Sequence, residues 1–158
     1  MTRTPAEYAS WLRKVHNVPS EPRPVDLLNI VSRCGGIVEE LTLTGCSGAL
    51  LPVEGCFGIA VRVSDPPVRK RFTIAHELGH FCIPTHSKSA ARCVSPELAK
   101  DESVRVPERE ASDFAAELLM PRKIVEPLVT KGAIDLERAE EVERLFEVSK
   151  VAAALRIC

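Results

Sequence analysis

The sequence predicts an α+β fold, a small three-stranded sheet packed against helices, and three observations carry that prediction. Apolar residues recur at helical spacing near the start and through the second half of the chain. Three short apolar runs between residues 37 and 63 are separated by glycine-bearing turns. A helix pattern with apolar residues on two flanks follows directly, at residues 71–81. With 158 residues, 45% of them apolar, the chain is long enough for one domain with a real core and short for two, so residues 1–158 are read as a single unit.

The elements follow in order. Residues 5–15 read as a helix, with Tyr8, Trp11, Leu12 and Val15 at i, i+3, i+4 and i+7 as its docking face. The Pro-rich stretch 18–24 is a stiff link to a second helix, whose inner face is Leu27, Leu28, Val31 and Cys34 and which Gly35–Gly36 ends. Strands are expected at 37–43, 47–53 and 57–63, with turns at Gly45 and at Glu54–Gly55. The third, beside the following helix, is the strand expected to offer its edge to an extended peptide. Residues 82–106, rich in Ser, Lys, Arg and Pro, read as a long loop with one helical turn at Ser95–Glu97. Glu108 to Pro121 is a further helix. Ile124, Leu128 and Val129 suggest a short helix broken at Pro127. Asp135 caps a helix with Leu136, Ala139, Val142, Leu145 and Phe146 inward, and Ser149 caps the last one.

The chemistry concentrates in Arg71–Phe81, RFTIAHELGHF, where His76, Glu77 and His80 form H-E-x-x-H. On a helix of about 3.6 residues per turn, residues four apart share a face. Two imidazoles so placed can hold one zinc ion, and the glutamate beside them is placed to take a proton from a zinc-activated water. Thr73, His76, Glu77 and His80 form one polar stripe between two apolar flanks, which directs the stripe into a cleft.

A third ligand is required, and two kinds of candidate exist. His86 has the spacing of the third histidine in H-E-x-x-H-x-x-G-x-x-H sites, but Ile83 stands where that pattern has glycine, and the return turn falls to Pro84. Downstream, Glu110, Asp113 and Glu117 lie at i, i+3 and i+7 on one helix face, with the apolar Ala111, Phe114, Ala115 and Leu118 spread over the buried side. Glu110 is the preferred ligand of a His2Glu site, and Asp113 is the candidate to orient a ligand histidine. His86 is the alternative orienting group or the donor to a developing oxyanion.

RFTIAHELGHF (71–81), EASDFAAELLMP (110–121) and LFEVSKVAAALR (145–156), in that order, resemble the ImmA/IrrE family of metallopeptidases over nearly the whole chain. The resemblance implies a zincin-like helical core, one Zn2+ per chain on His76, His80 and Glu110, and Glu77 as catalytic base. It also implies a protein substrate, a helix-turn-helix repressor of the Xre type, whose cleavage relieves repression of stress-response or mobile-element genes. Where relatives often carry Asn two residues after the ligand glutamate, this chain has Ser112.

Charge and composition narrow the alternatives. A net charge of −1 offers no basic field for nucleic acid. Residues 135–157 superficially read as helix-turn-helix, but Glu137, Glu140, Glu141, Glu143 and Glu147 oppose phosphate binding, so core helices are expected. No apolar run suits a membrane span or a signal peptide, which points to the cytoplasm. The six cysteines form no C-x-x-C pair and are expected to be thiols. The rival reading is a non-catalytic zinc-binding regulatory partner built on a peptidase fold. The intact Glu77 argues against it, because a structural zinc site has no use for a base.

Overall fold

The computed structural model describes residues 2–86, 100–129 and 135–158. Helix α1 (Pro5–Val15) opens on a reciprocal capping box between Thr4 and Glu7. Its buried face is Ala9, Leu12 and Arg13, whereas Trp11 and Val15 are exposed, so the helix is rotated from the expected docking face. The reason is Arg13. Its guanidinium donates to the carbonyls of Leu118 at 2.7 Å and Pro19 at 2.9 Å, which satisfies a buried charge and turns this side inward. Helix α2 (Leu27–Arg33), capped by Asp26, buries Leu27, Ile30 and Val31 and leaves the expected core residue Leu28 exposed. Gly35, at φ 86°, takes the left-handed conformation that ends it.

Strands β1 (Gly36–Leu41), β2 (Gly48–Val53) and β3 (Cys56–Arg62) form one sheet in the order β1-β3-β2. β3 pairs parallel with β1 and antiparallel with β2. It is therefore central, and its burial from Phe57 to Val61 is continuous, as a strand covered on both faces requires. The strand expected to offer an edge is thus internal, and β2 is the edge nearest the functional cleft.

Helix α3 (Pro67–Cys82) carries the H-E-x-x-H motif across the sheet, with Pro67 pre-set at its first turn. Phe81 stacks on Phe57 of β3 with ring centroids 3.9 Å apart. Helix α4 (Glu102–Leu119) begins six residues before the expected start. Asp101 caps it by accepting from the Ser103 N–H at 3.0 Å, and Pro107 is accommodated in its second turn rather than acting as a breaker. The expected loop is accordingly shorter at its C-terminal end, and the turn expected at Ser95–Glu97 lies outside the described residues.

α4 is the central packing element. It contacts α1 and α3 and contributes the fully buried Ala111, Phe114, Ala115 and Leu118. Helix α5 (Arg122–Val129) incorporates Pro127. Helix α6 (Leu136–Phe146), capped by Asp135, buries Ala139, Val142 and Phe146, while the expected core residue Leu136 is exposed. Helix α7 (Lys150–Ile157), capped by Ser149, docks through Arg156, which pairs with buried Glu117 and donates to the Met120 carbonyl at 2.7 Å. Glu117 is thereby a structural carboxylate, and α6 and α7 contact each other as core helices. Among the described residues no helix is long and apolar enough to cross a membrane. Cys34, Cys56 and Cys158 are free thiols as expected, but Cys46 is disulfide-bonded, a pairing that sequence spacing does not reveal.

Candidate metal centre

The polar stripe of α3 faces an open cleft of about 460 Å³. Thr73, His76, Glu77 and His80 form its floor, the chain from Gly45 to Gly48 leading into β2 forms one wall, and Glu108 and Ser112 of α4 form the other. Arg62, Arg69 and Phe72 complete the lining. Gly48 is required where it stands. A Cβ there would collide with Thr73 Cγ2 and meet the Ala60 carbonyl at 3.0 Å.

His76 Nε2 and His80 Nε2 are 3.2 Å apart. Glu108 joins them, with Oε2 3.0 Å from His76 Nε2 and Oε1 3.1 Å from His80 Nε2. Three donor atoms bound to one tetrahedral zinc at about 2.0–2.1 Å are separated by about 3.3 Å. The observed triangle is close to that edge length, and the donor types, two imidazole nitrogens and a carboxylate, are those of a catalytic His2Glu centre. The residues present therefore fit a zinc ion, with the fourth side open to the cleft.

The third member of this group is Glu108 and not Glu110. Two positions apart on a helix, the residues point about 200° away from each other around the axis, and only Glu108 lies in line with the small residues Ala111, Ser112 and Ala115 at i+3, i+4 and i+7. Those residues face α3. Gly79 lets the two helices approach so closely that a Cβ there would lie 3.3 Å from Ala111 Cα. Reading that small-residue face one turn back would have found Glu108, but the regular spacing of Glu110, Asp113 and Glu117 draws attention to the wrong side.

The other expected site residues fall as follows. Asp113 is exposed, one turn beyond Glu110, and does not line the cleft. The group that orients His76 is instead Ser112, whose hydroxyl lies 3.3 Å from His76 Nδ1. Pro84 does make the return turn. The His86 N–H donates to the Ile83 carbonyl at 3.1 Å, with Pro84 at the second position where its fixed φ suits a β-turn. His86 is nonetheless outside the triangle. Its Nδ1 lies 2.9 Å from Nδ1 of His80, the ring nitrogen turned away from the triangle, and its Nε2 lies 2.8 Å from Glu110 Oε2. With both nitrogens engaged and its side chain 1% exposed, it has no free group to offer an oxyanion in the cleft.

Glu77 is buried beside the triangle. Burial, reinforced by the nearby Glu108 carboxylate and opposed by His80 and a hydrogen bond from the Leu50 N–H, pushes its carboxyl up to about 7 in the metal-free chain. For Glu108, burial acts upward, but hydrogen bonds and charge from His76 and His80 outweigh it and bring the carboxyl down to about 2. In the metal-free chain one carboxylate is thus held ionised while burial shifts its neighbour toward neutrality.

Residues 58–157 match the family model for the IrrE N-terminal-like domain, Peptidase_M78. The match begins in β3 and takes in α3, α4 and everything after them. A comparison with curated proteins finds no match.

Proposed function

We propose a hydrolytic mechanism for this chain, which belongs to the Peptidase_M78 family of IrrE N-terminal-like domains: zinc-assisted cleavage of a peptide bond in a protein substrate. The observation that carries it is the triangle of His76 Nε2, His80 Nε2 and Glu108 at tetrahedral-edge spacing, with the buried carboxyl of Glu77 beside it in an open cleft. His76, His80 and Glu108 would hold the ion, which when bound supplies Lewis acidity toward a water and the scissile carbonyl.

The protein's own groups then divide the work. Glu77, fixed by the Leu50 N–H, takes the proton of the attacking water and returns it to the departing amine. Ser112 holds the ring of His76.

β2 supplies a binding edge for the extended peptide. The Arg62 N–H donates to the Ser47 carbonyl at 2.8 Å, so in the antiparallel alternation the polar groups of Ser47 point to β3 and those of Gly48 point outward. A peptide laid beside Gly48 gains main-chain hydrogen bonds there, next to Glu77.

The proposed substrate is a helix-turn-helix repressor of the Xre type, and the proposed setting is relief of repression in the cytoplasm. Support for both is the sequence resemblance set out above. The test is incubation of the zinc-loaded chain with candidate repressors of the Xre type. Wild type is expected to produce two discrete fragments and Glu77→Gln none, with zinc content equal in both. An uncut repressor that still binds the chain would instead establish a non-catalytic regulatory partner.

A further inference from the structure

We infer that Glu110 and His86 act as a positioning pair that presets the ring of His80 for metal binding. This rests on the reading of His76, His80 and Glu108 as the metal group. Three consecutive contacts carry it: Glu110 Oε2 to His86 Nε2 at 2.8 Å, His86 Nδ1 to His80 Nδ1 at 2.9 Å, and His80 Nε2 to Glu108 Oε1 at 3.1 Å.

The order of protons along this chain follows from what each group can do. A carboxylate only accepts, so the bond to Glu110 places the proton of His86 on Nε2. The Nδ1 of His86 is then a lone pair, and the hydrogen bond to His80 exists only if His80 Nδ1 carries a proton and donates it. That leaves Nε2, the nitrogen facing Glu108 Oε1 and His76 Nε2, as the one His80 can free for an ion. The tautomer that a metal needs is therefore set from outside the cleft, by a carboxylate on a different helix acting through an intervening imidazole.

The arrangement also accounts for features otherwise without a role. His86 is almost fully buried although it ends a turn, and that turn, closed by its own N–H on the Ile83 carbonyl, delivers it back under His80. Glu110 stands two positions from Glu108, so a single helix supplies a carboxylate to each side of the same imidazole. His80 is held at both nitrogens from α4, directly and through His86. Its ring is thus oriented before any ion arrives, which removes ordering cost from metal uptake.

Two measurements test the pair, the first on the unaltered, metal-free protein. Long-range 1H–15N spectra of the histidine rings are expected to show the proton of His80 on Nδ1 and that of His86 on Nε2. A His86 protonated at Nδ1 overturns the proposal, and this result does not depend on any variant folding. The second is zinc affinity by competition with a chromophoric chelator. His86→Ala is expected to lower affinity about 10–100-fold, Glu110→Ala to lower it in the same direction, and the double variant to bind no more weakly than His86→Ala. His86→Gln, whose amide can accept from His80 and donate to Glu110, is expected to recover part of the loss. Wild-type affinity in His86→Ala, or losses that multiply in the double variant, overturn the pair. If Glu108→Gln still loses zinc in that case, the metal centre stands without it. Zinc uptake and correct tautomers without any peptide cleavage would leave the pair intact and remove the peptidase reading alone.

Discussion

Glu108 and Ser112, four residues apart on α4, bracket the imidazole of His76, the carboxylate 3.0 Å from Nε2 and the hydroxyl 3.3 Å from Nδ1. One helix face thus supplies the proposed ligand and the group that orients His76, so the α3–α4 packing and the candidate metal centre are one construction. Glu108→Gln keeps the shape and removes the charged donor. It is expected to weaken zinc binding by at least about 100-fold, and Ser112→Ala by about 10-fold, the range seen when outer hydrogen-bond partners of metal ligands are removed. Chelator competition reads both. Undiminished binding in Glu108→Gln would reject the His2Glu assignment.

Glu77 differs from Glu108 in what its removal should cost. It is buried beside His76 and His80 and tied to β2 through Leu50, but it does not belong to the triangle they form with Glu108. Glu77→Gln is expected to bind one zinc per chain as wild type does and to lose about 10²–10⁴-fold in peptide hydrolysis. Turnover within a few-fold of wild type, at equal zinc content, would mean that the proton is handled elsewhere.

The contrast between these two glutamates shows what was legible in the sequence. The placement of Glu77 beside His76 and His80 could be read because all three lie on the same helix, where spacing alone sets geometry. Glu108 belongs to another helix, and its approach depends on rotation of α4 about its own axis. That rotation is set by Gly79, Ala111 and Phe114, a packing fact visible only in three dimensions. The same limit explains α1, where Arg13 finds carbonyls of Leu118 and Pro19 and outcompetes Trp11 for the interior. It also explains the sheet. Three strands are evident from their period, but the parallel return that puts β3 between β1 and β2 is not written in any one of them.

Stability of the metal-free chain should carry the signature of Glu77. Its folded-state carboxyl stands at about 7, above its ordinary value of 4.5, so between those values the folded protein binds more protons than the unfolded one. This contribution is fully present below pH 4.5 and is lost as pH rises through 7. A shift of this size corresponds to roughly 3 kcal/mol for a group so deeply buried. Glu77→Gln removes the titration. Its thermal midpoint in the presence of a chelator is therefore expected to exceed that of wild type at pH 8 and to approach it near pH 5. Parallel curves for the two proteins across this window would show that burial of Glu77 does not perturb it.

Gly79 tests whether packing governs the metal centre. A Cβ at this position would lie 3.0 Å from Phe114 Cδ1, 3.2 Å from Phe114 Cγ and 3.3 Å from Ala111 Cα. Phe114 is fully buried and cannot swing aside, so Gly79→Ala must push α4 outward by a few tenths of an ångström. Overpacking of this kind costs about 1–3 kcal/mol. The displaced helix carries Glu108 and Ser112 away from His76, so zinc affinity should fall together with the melting temperature. Phe114→Leu, which shortens the obstructing side chain, should restore both when combined with Gly79→Ala, although alone it leaves a void and destabilises. Opposite signs in the single and combined variants are the mark of shared space. If the two changes add independently, or if Gly79→Ala binds zinc as wild type does, the distance between α3 and α4 is not what brings the carboxylate to the histidines.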